Sequence, residues 1–143
     1  LRAEQTDTIT DDAAYRLYAR YIESRHSDGD MYPPERDQYE SFLNNAWGCT
    51  RYFRFYRGSE LVAIAVLDVL LDGISAIYTF FDSDEDKRSL GVYAILWEIE
   101  LARSLGLDYV YLGYWIRECQ KMSYKSNYRP LEIYSNNRWT TLF

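Results

Sequence analysis

Four cations recur at every fourth position late in the sequence: Arg117, Lys121, Lys125 and Arg129. On an α-helix that spacing draws one basic stripe, and Tyr124 and Tyr128 lie beside it at the same interval. Cations interleaved with aromatic rings suit a nucleic-acid backbone with unpaired bases, because phosphate meets charge and bases meet ring faces. The plainer reading is a solvated helix face above core tyrosines. A second group is Lys87, Arg88, Ser89 and Gly91, where a charged loop enters a long helix. Free backbone N–H groups at a helix start, backed by two cations, make an anion site; the plainer reading is an ordinary capped helix. Asp68 interrupts the apolar run Leu61–Leu70, and Asp82 follows the next apolar segment. A carboxylate in such a strand finds a partner or is pushed toward its neutral form, as acid–base groups are. Otherwise it lies at a wet strand end or pairs with Arg51, Arg54 or Arg57. His26 is the single histidine and borders Asp28 and Asp30. It can exchange a proton near neutral pH, or simply complement a helix C-terminus. Three such ligands on one loop do not define a metal site, and none is assigned.

The elements that must position these residues are legible from periodicity. Thr10 is placed to cap a helix running to Arg25, with Ala14, Leu17, Tyr18, Tyr21 and Ile22 on one face. Pro33-Pro34 opens a second helix bearing Tyr39, Phe42 and Leu43, which fades at Asn44-Asn45. Residues 50–57 alternate, with Arg51, Phe53 and Phe55 on one face and Tyr52, Arg54 and Tyr56 on the other. Gly58-Ser59 turns into the run 60–70, which reads as a strand covered on both faces. Asp72-Gly73 signals a hairpin into 74–81. Ser89 then caps a long helix with Val92, Ile95, Leu96, Ile99 and Ala102 inward, stopped by Gly106. A strand over 109–116, a short helix over 117–127 and a closing strand over 131–134 complete the chain.

Length and composition set the frame. The 143 residues make a single domain with an ordinary globular balance, 48% hydrophobic and 27% charged. Net charge is −6, with a pI near 4.8. That excludes grip on nucleic acid by blanket phosphate neutralisation, although not a local basic site. Fifteen tyrosines stand out. Cys49 and Cys119 have neither zinc nor disulfide spacing, which favours a reduced, cytoplasmic setting. The apolar run at 61–71 falls short of the ~20 residues of a membrane span.

The expected order is two helices, three antiparallel strands, a long helix, a strand, a short helix and a strand: an α/β (α+β) chain with a mixed, mostly antiparallel sheet flanked by helices. It is similar to the GNAT acyltransferase fold. In that family a Gln/Arg-x-x-Gly-x-Gly/Ala loop cradles the coenzyme A pyrophosphate. Arg88-x-x-Gly91 fits the first half, and Tyr93 stands where a small residue is wanted.

A closer resemblance covers nearly the whole chain. The segments 15–22 (YRLYARYI), 25–34 (RHSDGDMYPP), 89–102 (SLGVYAILWEIELA) and 111–130 (YLGYWIRECQKMSYKSNYRP) resemble the C-terminal domain of the aminoacyl-tRNA–protein transferases, the arginyl and leucyl enzymes of the N-degron pathway. The resemblance implies that the α-amine of a protein beginning with Asp or Glu attacks an aminoacyl-tRNA ester. The acceptor gains the amino acid and is marked for degradation machinery. It also implies a GNAT-like fold holding a tRNA end in place of coenzyme A, consistent with Tyr93. The form of residues 26–34 is similar to bacterial members, which favours leucine as the donor, with arginine second. Family members carry an N-terminal cysteine-rich region that is absent here, so the chain is expected to be a C-terminal catalytic piece without its own cofactor. A general base is then sought among Asp68, Asp82 and His26. Arg51, Lys121 and Lys125, with Tyr124 and Tyr128, are candidates to hold the acidic acceptor. Lys87, Arg88, Ser89 and Gly91 are candidates for the tRNA end. Two rival readings are a coenzyme A-dependent N-acyltransferase and a non-enzymatic module that binds acidic N-termini.

Overall fold

The computed structural model describes residues 1–43, 48–83, 89–114 and 120–142. Lys87, Arg88, Arg117, Cys119 and the end of the second helix at Asn44-Asn45 lie outside the described residues, as does the side chain of Lys121. Two compact units divide the chain, Leu1–Tyr111 and Leu112–Phe143.

Alternation in 50–57 and the apolar run that follows build the centre of the first unit. Strand β1 (Arg2–Thr6) precedes helices α1 (Asp12–Arg25) and α2 (Arg36–Leu43); then come β2 (Thr50–Arg57), β3 (Glu60–Val69), β4 (Gly73–Phe81), helix α3 (Leu90–Ser104) and β5 (Tyr109–Tyr111). The sheet order is β1-β2-β3-β4-β5, antiparallel except for β5, which runs parallel to β4 through the α3 crossover. This is the mixed, mostly antiparallel sheet that the sequence predicts.

Each face of the sheet has its own cover. Phe53 and Phe55 point to α3, where the Trp97 ring lies 4.6 and 5.1 Å away and Tyr93 meets Phe55 edge-on at 5.7 Å. Tyr52 and Arg54 point the other way. The Tyr52 hydroxyl donates to the Leu43 carbonyl at 2.8 Å, and Arg54 donates to Asp11 at 3.1 Å and to the Thr8 carbonyl at 3.0 Å. Arg54 is nearly buried, and its hydrogen bonds hold the Asp11 carboxyl below its ordinary range. Much of the tyrosine content is spent in this layer: Tyr18 stacks against Tyr39 at 4.8 Å and Phe80 at 5.6 Å, and Tyr15 meets Tyr39 at 5.4 Å.

Several expectations need correction. The polar lead is strand β1, concealed by its exposed charged residues on the sheet edge. The first helix is capped from Asp11, not Thr10, whose carbonyl instead accepts from Arg36. The second begins at Arg36, two residues after Pro34, and leaves Phe42 about half exposed. On α3, Leu96 is exposed, whereas Glu98 takes its place in the buried stripe with Leu90, Ala94, Ile95 and Ala102. Gly73 is not needed for its turn. A Cβ there would sit 2.6 Å from the Tyr109 carbonyl oxygen, so the glycine exists to let β5 approach.

In the second unit, residues 120–127 form a 3₁₀ helix, and Leu131–Ser135 (β6) pairs with Arg138–Leu142 (β7) as a separate hairpin. Thus 131–134 does not close the main sheet. Strand β5 stops at Tyr111, short of the expected 116.

Candidate functional site

Register separates the two carboxylates that the sequence treats alike. Asp82 follows β4 and its N–H donates to the Val62 carbonyl at 2.8 Å; Asp68 lies six residues further along β3, opposite Thr50 and Ser75. At about 3.3 Å per strand residue, roughly 20 Å lies between them. One site cannot use both.

The Asp68 end is structural in character. Asp68 is half-buried and accepts from the Thr50 hydroxyl at 2.6 Å, so no arginine partner is required. The neighbouring arginines are engaged elsewhere: Arg51 donates to the Gly48 and Thr50 carbonyls at 2.9 and 3.0 Å, Arg54 to Asp11, and Arg57 to Glu60 at 2.9 Å. Arg51 also faces α3 with Phe53, the opposite side of the sheet from Asp68.

At the other end the chemistry gathers. The carboxyl end of β4 meets the C-terminal half of α1, and Asp82 lines a cleft of about 320 Å³ with Ser83, Arg20, Glu23 and Ser24. His26, the residue after α1, is 3.0 Å through Nε2 from the Tyr21 hydroxyl, and the Tyr21 ring lies 5.0 Å from that of Phe81 beside Asp82. The Arg25 guanidinium covers the same Phe81 ring at 5.1 Å. Of the three expected acid–base residues, Asp82 lines the cleft, and His26 is linked through the Tyr21 ring to Phe81, the residue before Asp82. Sequence reasoning misses Arg20, Glu23 and Ser24, which read as the solvent face of α1; only tertiary packing sets them beside Asp82.

The start of α3 bears on the same end, since a Cβ built on Gly91 would meet the Phe81 ring at 3.5 Å. That is ordinary contact, so the fold itself does not demand glycine there. Ser89 precedes the helix in a left-handed conformation, φ 48°, and its carbonyl accepts from the Tyr93 N–H at 2.9 Å. Its side chain makes no capping bond to the helix. The expectation that Tyr93 obstructs an anion also needs revision, because its ring is committed edge-on to Phe55 in the helix–sheet interface.

Glu98 is a further residue that the sequence reading passes over. It is fully buried, and neither carboxylate oxygen has a hydrogen-bond partner among the described residues. Burial pushes its carboxyl up to about 7. Its place four residues from both Ala94 and Ala102 puts it on the inward stripe, so spacing could have found it had charge not argued otherwise.

In the second unit residues 120–127 form a 3₁₀ helix rather than the α-helix on which a four-residue stripe was expected, and Arg117 lies outside the described residues. Lys125 donates to the Tyr114 carbonyl at 2.9 Å, and Arg129 to the Tyr128 carbonyl at 2.7 Å. Tyr124 is exposed, whereas Tyr128 is half-buried. Among the described residues no group of three His, Cys, Asp or Glu is placed to hold a metal ion, and no helix is long and apolar enough to cross a membrane.

A meander joined by a helical crossover to a parallel strand is the GNAT-like fold class that the sequence predicts. The structure is similar to ribosomal-protein-S18-alanine N-acetyltransferase from Escherichia coli, with a TM-score of 0.58 over 88% of this chain and 76% of that one. At 14% identity the likeness shows the fold alone. Residues 13–135 match the family described as arginine-tRNA-protein transferase, C terminus, and the chain belongs to that family. It is 62% identical over 136 residues to an aspartate/glutamate leucyltransferase of Saccharophagus degradans, covering 94% of this chain and 57% of that protein. For the Hahella chejuensis protein of the same name the identity is 59% over 128 residues, covering 90% and 55%. The chain therefore spans a little over half the length of these relatives.

Proposed function

We propose that this chain is the catalytic part of a leucyltransferase that moves leucine from aminoacyl-tRNA to the α-amine of proteins beginning with Asp or Glu. Its family, and relatives named for that acceptor pair and that donor, support the reading. The observation within the fold that carries it is Asp82 in a cleft at the carboxyl end of β4, where the preceding Phe81 meets the start of α3. In a parallel strand–helix–strand unit, ligands are met at that end, where helix N–H groups face an anion.

The chemistry follows. An N-terminal ammonium, with a pKa near 8, must lose a proton before it attacks. Asp82 is the group to receive it. The amine nitrogen then bonds to the ester carbonyl carbon, the carbon–oxygen bond to the terminal ribose breaks, and the ribose oxygen takes up a proton. Ser89 and Gly91, with Lys87 and Arg88 preceding them, face the phosphates of the tRNA end. Arg20 and Arg25 are the cations of this end suited to the acidic side chain of the acceptor, a role that leaves Arg51 to brace its own turn. The setting is the cytoplasm, where charged tRNA is found, and the product passes to degradation machinery.

The test supplies a protein of the relatives' full length, bearing this chain as its C-terminal part, with charged leucyl-tRNA or arginyl-tRNA and an Asp-starting peptide. Labelled leucine should appear on the peptide, and arginine should not. Transfer of arginine alone would replace the donor. Acetylation from acetyl-coenzyme A without any aminoacyl transfer would replace the reading.

A further inference from the structure

Strand β4 is paired along its length with β3 on one side, but on the other β5 meets only Gly73, Ile74 and Ser75. From Ala76 to Phe81 the outer edge of β4 has no partner strand among the described residues. The phase of the β3 ladder decides which groups stand on that edge. The Asp82 N–H donates to the Val62 carbonyl at 2.8 Å, just past the Ala63–Phe81 pair. In an antiparallel ladder such a bond makes Ala63–Phe81 a pair without mutual hydrogen bonds, and Ala65–Thr79, two residues along, another. The N–H and C=O groups of Thr79 and Phe81 therefore point away from β3, and none of them is bonded to another described residue. Ile77 is 42% exposed and Thr79 half-buried, so solvent reaches this edge. Edges left open are usually blunted by charge or proline, and residues 76–81 have neither. An unblunted edge that ends at Asp82 is a place for an incoming strand.

We propose that this edge seats the backbone of the acceptor protein as an added antiparallel strand, its first residue level with Asp82. The proposal rests on the transferase reading above and deepens it. Direction follows from the chemistry: β4 runs toward Asp82, so only an antiparallel strand brings its amino end there. Register follows from hydrogen bonding. Residue 1 of the acceptor must keep its α-amine free to attack. The first residue with both backbone groups bonded is therefore residue 2, opposite Phe81, and the next is residue 4, opposite Thr79. Residue 1 then stands opposite Asp82. Directly opposed residues share a face of the sheet, and Asp82 alternates onto the face of Phe80, which packs on Tyr18 of α1. The acidic side chain of residue 1 is thus delivered to the side where Arg20 of α1 lines the cleft with Asp82. Main-chain bonds read no side chain, so acceptors are selected at residue 1 and tolerated beyond it.

The experiment titrates the 143-residue chain into a fluorescent, Asp-starting heptapeptide and follows anisotropy. N-methylation of residue 2 or of residue 4 should weaken binding about tenfold, since one ladder bond is lost and a methyl group is wedged between the strands. N-methylation of residue 3, whose N–H points away from β4, should stay within about threefold of the unmethylated peptide. Amide hydrogen exchange then locates the strand. Saturation with peptide should slow exchange at Thr79 and Phe81 about tenfold or more, and leave Phe80 and Asp82, already bonded to β3, unchanged. Equal sensitivity at residues 2, 3 and 4, new protection elsewhere than on β4, or no binding at millimolar peptide overturns the added strand. Leucine transfer by the full-length protein is read on the same peptides. Transfer that is undiminished by methylation of residue 4 removes the strand and spares the transferase. Alternating sensitivity in binding, without any leucine transfer, does the reverse.

Discussion

The two ends of the β3–β4 hairpin carry the same chemical group in opposite circumstances. At one end Asp68 accepts from Thr50, and Arg51 is folded back on its own turn. At the other, Asp82 lines a cleft with Arg20, Glu23, Ser24 and Ser83. The difference teaches that a carboxylate interrupting an apolar strand is not a site until other groups converge on it. Convergence is a property of register and of what the helices bring.

The sharpest way to break the comparison is to remove each carboxylate in turn. In a full-length protein bearing this chain, Asp82→Asn should lower the rate of leucine transfer about 100-fold or more, the scale of a lost general base. Asp68→Asn should leave that rate within about threefold and cost about 1 kcal/mol in a denaturant titration, one hydrogen bond. The reverse pattern would move the active end of the sheet.

The glycines offer the second contrast. Gly73→Ala drives a methyl into the Tyr109 carbonyl and should destabilise the fold by about 2–3 kcal/mol, read from the shift in urea midpoint. Glu98 lies on the helix above the sheet between the two ends. Its raised pKa means that the protonated form is favoured in the fold, so this stabilisation is complete below about 4.5 and is lost as pH rises toward about 7. Glu98→Gln should flatten that dependence and raise stability at pH 8 by about 1–3 kcal/mol. A parallel pH profile for parent and variant would mean that Glu98 has found a partner. The smallest effect is expected at Gly91→Ala, where the added methyl has room. Stability should rise by about 0.5 kcal/mol or less, and any loss of transfer would then report on close approach of the tRNA end rather than on folding.

How far the sequence could be read depended on burial. The strands β2, β3 and β4 and the inward faces of α1 and α3 announce themselves because apolar residues repeat at the period of the element. Strand β1 and strand β7 do not, because Arg2, Glu4, Arg138 and Thr140 face water and read as loop. Cations at every fourth residue mark a face of an α-helix, whereas residues 120–127 form a 3₁₀ helix, in which every third residue shares a face. Of the site, the chemical types at His26 and Asp82 were visible. The placing of Arg20, Glu23 and Ser24 beside Asp82 belongs to the docking of α1 on the end of β4, which no local spacing encodes.

The first strand has a consequence of another kind. Five residues, Arg2–Thr6, occupy the hydrogen-bonding edge of β2 from Tyr52 to Tyr56, a stretch rich in aromatic residues. A bare strand of that composition is a template for the next chain to pair upon, and charged residues such as Arg2 and Glu4 discourage such growth on the outer side. Detachment of β1 from β2 would leave the cleft chemistry in place and expose a sticky edge. The protein would then fail in storage by forming aggregates before it failed in its reaction.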